Sequence, residues 1–373
     1  MKKISEFFSD DICNFGRQAE IDLAKAIPVL SLPFIHTVIE CASSDSLNYG
    51  LPFIFDCFVG GPMSAPVYMF SMGLVLNYAR QKGPKAMRRK ALHLFLVGFL
   101  LNICRFLIPY LTGFALTGDV QHFLVPLPYK VFGNDVLQFA PLALVLLSFL
   151  QEKGFSDRKI LSLAVLMSLV GWTLNDIDFH NPVLNVLLGH VMGTVDEAEL
   201  VISDFPILNW FIFPAAGMIF GKAHRRLKDK AGFYRMVSPV CLAIVCIYYP
   251  LAMHYEWGMF GSGENAYYHL QFYEMPTFFC DIFALLGIYY LMTRVMPEKM
   301  MSFFRSISMG ITEFYCVHWV LVIVITNVIL YIINGTQELP VPETLLLSLA
   351  ITVVTSVVVL TNQKLKERMR NTK

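Results

Sequence analysis

Long apolar runs separated by short charged turns make up most of the chain. Ten segments read as membrane-spanning helices, which need roughly 17–25 apolar residues: 21–39, 58–79, 91–115, 136–150, 160–177, 205–221, 236–254, 277–293, 311–333 and 343–361. The fourth and sixth are short, so their ends are soft. The opening MKKISEFFSDDICNFGRQAE lacks the apolar core of a cleavable signal peptide. No repeat, low-complexity tract or soluble module interrupts the pattern. It predicts an all-α integral membrane protein, a bundle of about ten transmembrane helices forming a single domain over residues 1–373.

The basic residues orient that bundle. With the N-terminus in the cytoplasm, the inside segments 1–20, 80–90, 151–159, 222–235, 293–305 and 361–373 hold 26 of the 29 Lys and Arg. Lys25 and Arg105 fall within spans and Lys130 in an outside loop. This asymmetry predicts cytoplasmic termini, with 1–20 as a cytoplasmic segment and 362–373 as a cytoplasmic tail in a multi-pass protein of the inner cell membrane. A net charge of +1 therefore hides a segregated distribution.

Composition agrees. Hydrophobic residues reach 56% and charged residues only 15%, with a mean hydropathy of +0.57, against about 45–50% and about 25% in soluble domains. This excludes a disordered chain and argues against a water-soluble enzyme. The eight cysteines form no CxxC pair and read as small core residues, not as a disulfide framework or a zinc site. No metal and no nucleic-acid partner is expected. Any apolar span can pack on a copy of itself, so a homo-oligomer stays open.

Two outside loops are long. In 178–204 the stretch NPVLNVLLGHVMGTVDEAELV has an apolar half suited to the membrane interface. In 255–276 the aromatics cluster with Tyr268, His269 and Glu274. They fit either sugar stacking and hydroxyl bonding or an interfacial aromatic belt.

The first span carries the most informative chemistry. Asp22, Lys25 and His36 fall on one stripe of a helix, with His36 roughly 16 Å beyond Lys25 towards the outer half of the membrane. Charge near mid-bilayer costs about 2.5–3.5 kcal/mol even on lenient scales, so such groups face the bundle interior or a wet cavity. Asp22 and Lys25 form either part of a site or a helix-end ion pair with Lys25 snorkelling to the headgroups. His36 is either a core histidine or a proton-transfer group, for which its near-neutral titration suits it.

The opening Arg17-x-x-x-Ile21-Asp22-x-x-Lys25, with His36 eleven residues after the basic position, resembles the transmembrane acyltransferase superfamily. That superfamily includes acyltransferase family 3 and the heparan-α-glucosaminide N-acetyltransferase type. Residues 60–106, with a basic turn between two apolar helices, look like its second and third spans. Residues 204–221 are similar to a later span carrying a tryptophan and a G-x-x-x-G pair. Residues 304–321, FRSISMGITEFYCVHWVL, resemble its near-terminal [FY]-x-x-H segment. The absence of a histidine in loop 40–57 favours the family 3 arrangement.

The resemblance implies transfer of an acyl group, usually acetyl, from cytoplasmic acyl-CoA to an extracytoplasmic acceptor, often a sugar. His36 matches the catalytic histidine, a general base or acyl carrier. Lys25 stands where the family usually has Arg, replacing a planar fork with a point charge. Arg17, Asp22, Asn102 and Arg105 are motif or donor-positioning candidates. Arg105 either contacts oxyanion or pantetheine, or pairs with Asp135 or Asp176. For CoA phosphates the candidates are Arg80, Lys82, Arg88 and Arg89, beside the plainer reading of positive-inside topology. For the acceptor they are Tyr268, His269 and Glu274. The partners implied are acyl-CoA, a carbohydrate acceptor and the lipid bilayer, with oxygen or nitrogen acylation left open. The competing reading is a proton-coupled transporter of a small polar metabolite, using Asp22, Lys25 and His36 as a relay. A receptor-like protein leaves the charged stripe unexplained.

Overall fold

The computed structural model describes residues 4–43, 46–48, 50–196, 203–261 and 265–371, and they are helical without a β-strand. The principal elements are α1 (Ala19–Cys41), α2 (Gly50–Val75), α3 (Pro84–Thr117), α4 (Val136–Glu152), α5 (Asp157–Thr173), α6 (Ile212–Arg225), α7 (Lys230–His254), α8 (Met275–Val295), α9 (Glu298–Met309), α10 (Ile311–Asn334) and α11 (Val341–Asn371).

Eight helical runs among the described residues are long and apolar enough to cross a membrane. The predicted spans 160–177 and 205–221 are not among them. Helix α5 has 17 residues, about 26 Å of rise, and ends before Asp176, whose φ is +60°. The other segment forms Ile207–Trp210, breaks at Phe211 and resumes as α6. Pro214 explains the break, because it lacks the N–H that would bond the Trp210 carbonyl. In the loop 178–204, Asn181 caps a short helix, Pro182–Gly189, that exposes Val183, Leu184 and Leu187. Residues 197–202 of that loop and 262–264 of the aromatic loop lie outside the described residues.

The chain divides into two compact units. The first comprises Met1–Arg17, Met69–Asn102 and Pro126–Gly287. In it the Pro84–Asn102 part of α3 packs on α4, and α5 on α6. Phe7 and Phe8 sit edge-on to Phe233 of α7 at 6.3 and 5.7 Å, while the backbone N–H groups of Cys13 and Asn14 donate to the Arg225 carbonyl.

The second unit comprises Gln18–Tyr68, Ile103–Val125 and Ile288–Lys373. Here α1 packs against α9, α10 and α11 around Ala26, Val29, Ile307, Phe314 and Val359. Its helices widen into π turns at Ile54–Gly60, Ile103–Leu107 and Val324–Leu330. Such turns, with their i→i+5 bonding, recur at functional sites. They carry Arg105 and Asn327 here.

Candidate active site

Helix α1 places its charges at one end and its imidazole towards the other. Glu20 and Asp22 occupy the first turn, where the helix dipole favours carboxylates. Pro28 and Pro33 interrupt the backbone ladder, and Ser31 Oγ donates to the Pro28 carbonyl at 2.7 Å.

Asp22 and Lys25 grip the same residue. Ser308, near the C-terminus of α9, donates its hydroxyl to Asp22 Oδ1 at 2.8 Å and accepts Lys25 Nζ on its carbonyl at 3.0 Å. A cation suits the negative end of the α9 dipole, and both Asp22 and Ser308 are buried. Replacing Ser308 by alanine takes one donor from a buried carboxylate, at a cost of about 1–3 kcal/mol. A lowered unfolding midpoint in detergent is expected, and an unchanged one would show that the clasp adds no stability.

His36 is held differently. It is half-buried and its ring nitrogens make no hydrogen bond among the described residues. Its ring packs on Trp319 at 3.9 Å between centroids and on His318 at 5.4 Å. Buried His318 donates Nδ1–H to the Phe314 carbonyl at 3.1 Å. Arg105, also buried, lies over the Trp319 ring at 4.8 Å and over Phe106 at 4.6 Å.

One turn after His36 is Glu40, whose carboxylate accepts Asn327 Nδ2–H at 2.8 Å. Asn327 Oδ1 accepts the Tyr110 hydroxyl at 3.1 Å, and its carbonyl accepts His122 Nε2–H at 3.0 Å. His122 stacks on Tyr331 at 3.5 Å. The His122 backbone N–H and the Tyr331 hydroxyl hold the Asp119 carboxyl below its ordinary range.

The remaining predicted residues fall as follows. Arg17 is exposed just before α1. Asn102 is buried and donates to the Val131 carbonyl at 2.7 Å. Asp135 accepts from the Val136 N–H at the start of α4. In the basic turn, Arg88 pairs with Glu152 at 2.6 Å, and Arg80 and Arg89 are exposed. Lys82 lines a cavity of about 200 Å³ together with Lys90, Asn77 and Gln151.

The aromatic loop is largely engaged with itself. His269 is buried, with Nδ1 2.6 Å from Asp176 Oδ1 and Nε2 3.2 Å from the Ser203 carbonyl. Buried Glu274 accepts the Met259 and Gln271 N–H groups at 2.8 and 3.2 Å. Tyr268 keeps partial exposure, and its carbonyl accepts Trp210 Nε1–H at 2.7 Å. Asn175 Nδ2 donates to the His269 carbonyl at 2.8 Å. Two of the three acceptor candidates thus hold the loop.

Sequence reasoning did not single out Glu40, Ser308, Trp319 or Asn327. For Trp319 a signal was present, since it directly follows the histidine of the [FY]-x-x-H segment. Nothing in the periodicity marks Asn327, because a π turn shifts its face.

These features define a multi-helical membrane protein in which an imidazole, without a hydrogen bond among the described residues, shares an indole with a buried guanidinium. The acyltransferase domain of acyltransferase family 3 matches residues 18–361, and the chain belongs to that family. The match draws on both compact units. No curated protein and no solved structure matches the chain.

Proposed function

We propose that the protein moves an acyl group, most simply acetyl, from cytoplasmic acyl-CoA to a hydroxyl or amine of an extracytoplasmic acceptor, with His36 as the base. The acceptor class that fits is a cell-envelope sugar or glycan. The observation that carries this is His36 itself, half-buried, with no hydrogen bond to its ring among the described residues, packed on Trp319 with Arg105 over the same ring. A base in that setting is free to take a proton from the attacking group, and a fixed positive charge in a dry site stabilises the developing oxyanion. Membership of acyltransferase family 3 supplies the reaction class.

The same proposal counts α5 and the broken segment ending in α6 as crossings, giving about ten spans with cytoplasmic termini in the inner cell membrane, following the distribution of Lys and Arg. Asp22 and Lys25 act through Ser308, fixing the inner end of α1. For the donor we assign the cavity with Lys82 and Lys90 to the nucleotide phosphates. Replacing both lysines by alanine is expected to raise KM for acyl-CoA by about tenfold with kcat retained. The acyl-pantetheine donor, which has no nucleotide, should show no such change. Equal losses with both donors would place the phosphates elsewhere. For the acceptor, Tyr268 is the candidate ring that keeps exposure.

The test is thiol release from acetyl-CoA and longer acyl-CoAs by the purified protein in detergent, with and without envelope sugars, against a His36→Ala variant. His36-dependent release supports the reading. Failure of every donor to bind or react would remove it, and substrate flux without acyl-CoA would favour transport.

A further inference from the structure

We propose that the Trp319 indole N–H takes the carbonyl oxygen of the acyl group as transfer proceeds, an inference that rests on the acyl-transfer reading above. Trp319 Nε1 is shut off from solvent and finds no acceptor among the described residues. Buried donors without acceptors are rare in folded proteins and call for an explanation. The chain satisfies its other buried indole in the ordinary way, since Trp210 Nε1–H donates to the Tyr268 carbonyl at 2.7 Å.

The surroundings of Trp319 point to a reacting carbonyl. Its ring lies 3.9 Å from that of His36, the group that removes the acceptor's proton. Arg105 lies over the ring at 4.8 Å, drawing electron density from the π system and making the edge N–H a stronger donor. The guanidinium occupies a face of the indole, and the N–H edge meets no protein acceptor among the described residues.

The step balances without a co-reactant. His36 takes the proton of the acceptor hydroxyl or amine as its oxygen or nitrogen bonds the thioester carbon. The C=O π pair moves onto oxygen, which accepts the Trp319 N–H bond. Collapse breaks the C–S bond, and the leaving thiolate recovers the proton from the His36 imidazolium.

Trp319→Phe keeps an aromatic ring for His36 and Arg105 and removes the N–H alone. The expected result is a fall in kcat of about 10²–10³-fold, the usual effect of losing one oxyanion donor. KM for acyl-CoA should stay within about threefold. A purely structural indole would move binding and kcat together. A second readout needs no substitution: in protein with ¹⁵N-labelled indoles, a ketone analogue of acetyl-CoA is expected to shift one of the four Trp N–H resonances. That signal should be the one missing from Trp319→Phe or Trp319→Tyr. If both variants fail to fold, the indole shift decides.

Parent turnover with a Trp319→Phe rate within twofold, or with no indole shift, overturns the donor role and leaves the acyl-transfer reading standing. A parent that binds and cleaves no acyl-CoA sinks that reading and the donor role with it.

Discussion

Replacing His36 by alanine is expected to lower acyl-CoA-dependent thiol release by about 10²–10⁴-fold, the range for loss of a positioned general base. That corresponds to about 3–5 kcal/mol of barrier. Binding of acyl-CoA should persist, because the imidazole makes no hydrogen bond among the described residues that a substrate would have to replace. The loss should therefore fall on kcat with KM little changed, the pattern of an interaction made only in the transition state. Alanine also empties the space against Trp319 and His318, so His36→Gln provides a variant of closer volume that keeps polar atoms but cannot cycle a proton near neutrality. Both variants should lose turnover alike. A glutamine variant with parental turnover would show that proton transfer at this position is not part of the reaction.

His36 was legible because one period, 3.6 residues per turn, governs α1 from Asp22 onward, and a lone imidazole at membrane depth stands out. The same arithmetic put Asp22 and Lys25 on its stripe. It did not show that both serve Ser308, about 280 residues away along the chain, since a contact between helices has no trace in the periodicity of either. The local widening at Val324–Leu330 has no composition signature in a uniformly apolar stretch. The link from Asn327 to Glu40 was hidden for that reason.

The aromatic loop teaches a different limit. Tyr, His and Glu in an outside segment match a sugar-binding composition, yet composition is silent on which side chains turn inwards. His269 and Glu274 do turn inwards, where they bond Asp176 and the backbone of Met259. Proline had the opposite value: Pro214 sits inside a stretch otherwise apolar enough to read as one span, and it accounts for the break at Phe211. Of the basic turn, sequence named Arg80, Lys82, Arg88 and Arg89, and the structure puts Lys82 in one cavity with Lys90, which sequence did not name.

The G-x-x-x-G pair gives the prediction with the largest effect on folding. Residues Met69–Val75 of α2 approach α6 at backbone distance. A Cβ added at Gly217 would stand 2.0 Å from the Phe70 carbonyl oxygen, and one at Gly73 would stand 2.0 Å from the Pro214 carbonyl oxygen. At Gly221 the nearest backbone atom, the Leu74 oxygen, would be 2.7 Å away. None of these is the far end of a flexible side chain, so the helices themselves must separate. In a bilayer, lipid is as apolar as any side chain, and close backbone packing is what holds such helices together. Gly217→Val is therefore expected to cost more than about 4 kcal/mol, in the diagnostic tail of single substitutions, with Gly217→Ala less severe. The readouts are monodisperse yield and melting temperature in detergent. Separation should also disturb the cavity of Lys82 and Lys90, because Met218 lines it and holds Asn77 through its carbonyl at 2.8 Å. Acyl-CoA affinity should fall in the same order as stability across the alanine and valine variants. A Gly217→Val protein that melts with the parent would show that α2 and α6 are held apart from the approach seen here. Intact stability with lost acyl-CoA binding would instead assign Gly217 to the donor site itself.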